Sequence, residues 1–220
     1  MYLLCWSAKG GVGTSVVAAA VALATARHAP TTLIDLGGDA PGVLGCARPT
    51  GPGVGDWWST PHAPADALLT LAEPVAPNLQ LVHTGTLPRL VTELHAERLA
   101  LAAAADTTTN VVIDAGHGVP HEVLHRCAHS SLLVARPCYL GIQRMMPHAR
   151  LATGVVLVSE PGRALGSADV ARTLGTPVVA EVPWDPAVSR SVDSGLLRAQ
   201  LPMSLRRPLG RLGYTGGVGG

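Results

Sequence analysis

Residues 2–27 pass from a short apolar stretch, Tyr2–Trp6, through a glycine-rich turn into an alanine-rich stretch, Ser15–Arg27. That order reads as strand, tight turn and helix, and it constrains the fold more than any other feature of the chain. The pattern then repeats. Continuous apolar runs occur at Thr32–Leu36, Leu79–His83, Asn110–Asp114, Ser131–Ala135, Val155–Ser159 and Val178–Val182, as expected for strands buried on both faces. Helical stretches lie between them, near Ala65–Leu71, Arg89–Ala105, Pro120–His129, Ile142–Arg150, Ser167–Leu174 and Pro186–Leu197. Pro120 and Pro186 fit first helical positions, and Ser167 with Asp169 marks a helix start. Strand alternating with helix predicts an α/β fold with a doubly wound, mainly parallel sheet flanked by helices. Ligands of such sheets sit beyond the carboxyl ends of the strands.

Residues 47–64 are rich in Pro and Gly and read as a long surface loop. No internal repeat or second domain is visible. Residues 1–212 are expected to form one domain and 213–220 a disordered tail.

Composition narrows the function classes. The 220 residues suffice for one α/β domain with a sizeable core, and with no Phe that core must be built from Ala, Val and Leu. A net charge of +1 gives no global electrostatic case for nucleic acid or a membrane surface. Cys5, Cys46, Cys127 and Cys138 are scattered without a CxxC pair, which fits free thiols in a reducing compartment. Met1–Trp6 lacks the basic start of a leader, and the longest apolar stretch, Val16–Ala26, is too short to span a bilayer. The expectation is a soluble cytoplasmic protein.

Among the 16 Lys and Arg residues, Lys9 is the only lysine, and it sits in the glycine turn Ala8-Lys-Gly-Gly-Val-Gly-Thr-Ser15. An ammonium is a compact point charge that enters a tight backbone cradle, where a guanidinium fork does not fit. The window approximates the phosphate-loop pattern G-x-x-x-x-G-K-[ST], in which glycines let backbone N–H groups converge on phosphate oxygens. Gly13 and Ser15 match it; Ala8 replaces the first glycine and Thr14 the usual lysine.

With these residues the chain resembles the ParA/MinD family of P-loop ATPases. Lys9-Gly-Gly-Val-Gly13 is similar to that family's deviant Walker A motif, with Lys9 at its signature lysine. Thr32-Leu-Ile-Asp-Leu36 resembles the second strand leading into switch I. Val111-Val-Ile-Asp-Ala-Gly-His-Gly118 resembles the Walker B strand and switch II glycine. Glu181-Val-Pro-Trp-Asp-Pro-Ala-Val188 resembles the loop that lies against adenine, with Gly195 on the following helix.

The resemblance implies a P-loop NTPase fold, ATP and Mg²⁺ as cofactors, and a nucleotide-dependent homodimer serving an adaptor or cargo. It implies nucleotide contacts from Lys9, Gly10, Gly11, Val12, Gly13, Thr14, Ser15, Asp114, Gly118, Pro183 and Asp185. Ser15 and Asp114 would organise Mg²⁺, Lys9 would reach across a dimer, and Asp35 and Asp39 would serve the attacking water. Two departures bear on hydrolysis. Thr14 stands where the phosphate-neutralising lysine belongs, and Gly37 stands where the family carries its second switch I aspartate, leaving Asp39 as the nearest substitute. Phosphoryl transfer depends on positioning and charge, so slow hydrolysis or none is expected.

Other patterns compete. His121-Glu-Val-Leu-His125 matches H-E-x-x-H, which on a helix places two imidazoles on one face, with His129 a turn further on. A zinc hydrolase is the reading this supports. Arg190, Arg198, Arg206, Arg207 and Arg211 form a basic C-terminal region of the kind that contacts DNA phosphates without sequence preference. Leu201–Leu212 is mildly amphipathic, but Pro202, Pro208 and Gly210 interrupt it, which argues against membrane targeting. Trp57 and Trp58 either anchor a partner or pack on the sheet. The reading adopted is an ATP-binding positioning or partitioning protein with weak or absent hydrolysis, acting on a chromosome, plasmid, septum, or secretion or pilus machine. The alternative is a scaffold that keeps the fold without nucleotide binding.

Overall fold

In the computed structural model, which describes residues 1–85, 92–105 and 107–213, the apolar runs form one eight-stranded sheet. Along the chain the strands are β1 (Tyr2–Ser7), β2 (Thr31–Asp35), β3 (Glu73–Ala76), β4 (Leu79–Val82), β5 (Asn110–His117), β6 (Ser130–Ala135), β7 (Gly154–Ser159) and β8 (Val178–Pro183). In space they run β3-β4-β2-β5-β1-β6-β7-β8. All neighbours are parallel except β3 and β4. The seven expected strands are all present, and the Walker B-like one extends past Asp114 to His117. The unexpected strand is β3, whose Glu73 and Pro74 are exposed. It carries no apolar run because it lies at the sheet edge, where Pro costs no ladder hydrogen bond.

The helices are α1 (Thr14–Ala26), α2 (Ala40–Val43), α3 (Val54–Trp58), α4 (Glu93–Ala105), α5 (Glu122–Cys127), α6 (Tyr139–Met145), α7 (Ser167–Leu174), α8 (Pro186–Asp193) and α9 (Met203–Leu209), with 3₁₀ turns at Ala65–Leu71 and Met146–Leu151. Several boundaries differ from expectation. The expected helix Arg89–Ala105 begins at Glu93, and residues 89–91 lie outside the described residues. The stretch 120–129 yields only α5, because His121 caps it and the chain turns extended at Ala128 so that the His129 N–H reaches the Tyr2 carbonyl. The stretch 142–150 starts early, at Tyr139, and tightens into a 3₁₀ turn at Met146-Pro147. Helix α8 stops at Asp193, and Gly195 adopts φ +69° just beyond it rather than lying within the helix.

Residues 47–64 are not simply a surface loop. They contain α3, and Trp57 and Trp58 are both buried. Trp57 donates its indole N–H to the Pro64 carbonyl at 3.1 Å, Arg98 covers its ring at 4.3 Å, and Trp58 stacks on His95 at 5.3 Å. These tryptophans therefore close the core on the β4 side. Of the expected tail only Gly213 is described; it lies directly against the Thr25 hydroxyl.

Helix α1 is apolar all round, which requires cover on every side. The sheet buries one face, and α9 lies over another. That explains the amphipathic C-terminal stretch: Leu205 and Leu209 of α9 are fully buried, while Arg207 points out. Pro202 and Pro208 fall at the two ends of α9, at its N-cap and in its last turn, and do not prevent it from forming. No helix among the described residues is long and apolar enough to cross a membrane.

Because α9 roofs α1, Leu205→Ala is expected to cost about 2–5 kcal/mol. Thermal or urea unfolding would read this as a melting temperature lower by roughly 5–15 °C. An unchanged melt would show that α9 is not part of the core.

Candidate functional site

The parallel strands deliver their carboxyl ends to one edge of the sheet. There β1 runs into the glycine turn, β2 into Leu36–Asp39, β5 into His117–Gly118, β6 into Arg136 and β8 into Trp184–Asp185. The turn after β1 needs its glycines: Gly11 has φ +76° and Gly13, the N-cap of α1, has φ +96°. Gly13 thereby lets α1 start abruptly, with its carbonyl accepting the Val17 N–H at 2.9 Å. The first-turn N–H groups of α1 have no helical acceptors and face the turn, where the helix dipole favours an anion.

A cleft opens over this turn. Its wall includes Gly10, Gly11, Gly13, Thr14, Ser15 and Asp39, and it is completed by His117 and Arg136. The His117 ring lies beside Gly10. A second, more apolar cleft adjoins it along Gly13, Val16, Arg136 and Val192, and there Val12, Pro183, Trp184 and Asp185 form part of the lining. Asp185 is the N-cap of α8. Hydrogen bonds from the Ser204 hydroxyl at 2.7 Å and the Ala187 N–H at 2.8 Å hold its carboxyl below the ordinary aspartate range.

Four expected site residues stand off these walls. Lys9 turns its ammonium to the Cys138 thiol, 3.7 Å away, on the β6–α6 side. Asp35 is buried and accepts the N–H groups of Gly38 at 2.6 Å and Ala40 at 3.2 Å, so it shapes its own loop. Asp114 is buried beneath the cleft and accepts the Gly116 N–H at 2.9 Å. Gly118 has φ +108° and lines a separate hollow with His117, Pro120 and His121.

The loop after β2 meets the end of β5 through backbone hydrogen bonds. Leu36 and Gly37 both donate their N–H groups to the Asp114 carbonyl, at 2.8 and 3.2 Å. A Cβ on Gly37 would lie 3.3 Å from an Asp114 carboxylate oxygen and 3.3 Å from Gly116 Cα. A Cβ on Gly116, which has φ +67°, would lie 2.9 Å from Gly37 Cα. A side chain at position 37 would therefore be tight, and one at position 116 both strained and in collision with Gly37 unless the backbone shifts.

The H-E-x-x-H histidines do not converge. His121 caps α5, its Nδ1 facing the Val123 N–H at 3.5 Å. His125 is buried edge-on to Trp6, and its Nε2 donates to the Pro120 carbonyl at 3.2 Å. Its Nδ1 then accepts from the Ser131 hydroxyl at 2.8 Å, while Ser131 accepts the Trp6 indole N–H at 3.0 Å. His129 Nδ1 accepts the Tyr2 N–H at 3.1 Å. All three imidazoles serve the backbone or the core, and no group of three or more His, Cys, Asp or Glu side chains among the described residues is placed to hold a metal ion. Arg198, itself exposed, donates to the Val75 carbonyl at 3.3 Å and to the Cys46 thiol at 3.6 Å.

Arg136, His117 and Trp184 were not singled out by the sequence. The available signal for Arg136 was its place as the first polar residue after a fully buried strand, where a parallel sheet presents its ligand-facing groups.

This architecture is that of a doubly wound P-loop protein. No protein-family model and no curated protein sequence matches the chain. Solved structures do. A ParA family ATPase from Chlorobium tepidum matches with a TM-score of 0.74 at 19% identity, over 96% of each chain. The septum site-determining protein MinD of Pyrococcus horikoshii, complexed with Mg-ADP, matches with a TM-score of 0.72 at 16% identity, over 96% of this chain and 93% of its own. A plasmid partition protein from Borrelia burgdorferi, bound to AMPPNP, matches with a TM-score of 0.70 at 14% identity, over 96% of each chain. The chain has the fold of the ParA/MinD ATPases.

Burial holds the His125 pKa below its ordinary 6.5. Its neutral form is therefore favoured in the folded state. Between the folded value and 6.5 the unfolded chain binds the extra proton, so stability is full above 6.5 and falls as the pH drops toward the folded value. Urea titrations at pH 7.5 and 5 are expected to show this loss, and His125→Gln is expected to reduce it. An equal pH dependence in the variant would assign the loss to other groups.

Proposed function

We propose that this chain is a ParA/MinD-like protein that binds Mg-ATP at the carboxyl edge of its sheet, dimerises with it, and acts in intracellular positioning or partitioning. The observation that carries the reading is the convergence of Gly10, Gly11, Gly13, Thr14 and Ser15, with helix-terminal N–H groups, on a cleft that adjoins an apolar one lined by Val12, Pro183 and Asp185. An anionic chain fits the first cleft and a flat heterocycle the second. The residues suit Mg²⁺ as well. Ser15 lies on the cleft wall and would give the metal its hydroxyl, and Asp114 sits below and would act on the metal's outer shell. Magnesium, when bound, supplies charge neutralisation on the phosphates.

The remaining groups define a binding protein more than a catalyst. Thr14 is nearly buried at the first position of α1 and brings no charge. Asp35 binds its own loop, and Gly37 has no side chain, so among the described residues Asp39 is the only carboxylate on the phosphate wall. Slow hydrolysis or none follows, with the nucleotide serving as a ligand that stabilises one assembly state. Lys9 stands off the cleft with its ammonium against the Cys138 thiol, from which it would turn toward a second copy of the chain. The alternative, a scaffold without nucleotide, has no particular observation in its favour.

Light scattering of the purified chain with and without Mg-ATP tests the switch. The expected outcome is a nucleotide-dependent dimer that Lys9→Ala abolishes. Thr14→Lys restores a point charge to the cradle and is expected to tighten ATP binding by about tenfold or more. A chain whose mass ignores ATP, and whose Thr14→Lys variant gains no affinity, would leave the scaffold reading.

A further inference from the structure

The phosphate cleft has lost the cation expected from the turn itself, and another cation stands on its opposite wall. Arg136 follows β6 directly and, among the described residues, is the only Arg or Lys lining either cleft; it lies on the wall the two share. Lys9 lines neither. The guanidinium is held in place from two sides. Its Nη1 donates to Glu160 at 3.0 Å, and its Cζ lies 5.0 Å from the centre of the Trp184 ring.

Its charge is not consumed by that pair. Glu160 is also bonded by Arg163, through Nε at 2.7 Å and through Nη2. Two guanidinium groups thus share one carboxylate, whose pKa they lower, and the cluster keeps one net positive charge beside the cleft. Arg136 Nε is buried and meets no hydrogen-bond acceptor among the described residues.

We infer that Arg136 binds the polyphosphate of the nucleotide from the β6 side and supplies the positive charge that Thr14 does not. The inference rests on the nucleotide reading above and adds to it the residue that makes binding possible without the turn lysine. The geometry differs from that of a lysine in the turn. An ammonium rising from α1 sits inside the backbone cradle, whereas a guanidinium entering from the sheet can only grip the phosphate chain on its open flank. With Nη1 on Glu160 and Nε buried, Nη2 is the guanidinium nitrogen left for a non-bridging oxygen. Trp184 and Glu160 fix its orientation before the ligand arrives, so little side-chain entropy is lost on binding.

The test is equilibrium binding of fluorescently labelled ATP, ADP and AMP to the full-length chain, with unlabelled competitors, for the parent, Arg136→Ala, Arg136→Gln and Arg136→Lys. Thermal melts run alongside, so that if the alanine variant unfolds, the glutamine variant decides. Removing the charge is expected to weaken ATP by roughly 10–100-fold, as for a charged hydrogen bond. ADP should lose less, and AMP no more than about threefold, while Arg136→Lys should stay within about fivefold of the parent for ATP. Equal weakening of all three nucleotides would mean that Arg136 only props Trp184 in the apolar cleft, and would overturn the inference. Parent-like ATP binding in both neutral variants would overturn it too and leave the nucleotide reading intact. Absence of ATP binding by the parent itself would overturn both.

Discussion

Backbone contact between Gly37 and Gly116 sets how closely the loops after β2 and β5 approach, and the rest of the site is arranged around it. The Asp114 carbonyl takes both the Leu36 and Gly37 N–H groups, and one residue pair further on there is no side chain on either loop. On its other side β5 continues to His117 and ties back to β1, where the Gly118 N–H meets the Ser7 carbonyl at 2.8 Å. Three loops are thereby fastened side by side at the mouth of the cleft. The fastening has a steric consequence. It leaves a Cβ at position 37 in tight contact with the Asp114 carboxylate and Gly116 Cα, each at 3.3 Å, so a side chain there requires these neighbours to give by a few tenths of an ångström.

Charge is the second constraint. Nucleotide phosphates need cations, and a turn whose lysine position holds Thr14 supplies only N–H dipoles and the end of α1. Those dipoles are directional and short-ranged; they orient an anion better than they neutralise it. The cluster of Arg136, Glu160 and Arg163 places a net positive charge beside the cleft on the segments that directly follow β6 and β7. Separating the cradle from the cation in this way lets the glycine turn stay small while the charge is carried by a stiff sheet.

Much of this was legible in the chain, for a physical reason. Strands buried on both faces must be written as unbroken apolar runs, and seven of the eight were. The eighth, β3, is half-exposed at the edge and leaves no such trace. Helices α3 and α9 were hidden by Pro and Gly, because what makes them helical is burial of Trp57, Trp58, Leu205 and Leu209 and not local propensity. The glycine turn could be recognised because the backbone conformation it needs is specific to glycine. Arg136 was harder to pick from fifteen arginines, its one signal being its place directly after the strand at Ser131–Ala135. The H-E-x-x-H pattern misled for the converse reason. It presupposes a helix beginning at His121, and α5 begins one residue later, which makes His121 a cap and sends His125 into the core.

The central claim is that a phosphate cradle without its turn lysine still takes nucleotide. Calorimetric titration of the purified, unmodified chain with Mg-ATP measures this directly. The account predicts saturable binding at about one nucleotide per chain, weakened when Mg²⁺ is removed. No heat of binding at millimolar ATP would contradict it and would leave a protein that has the fold of an ATPase without the ligand.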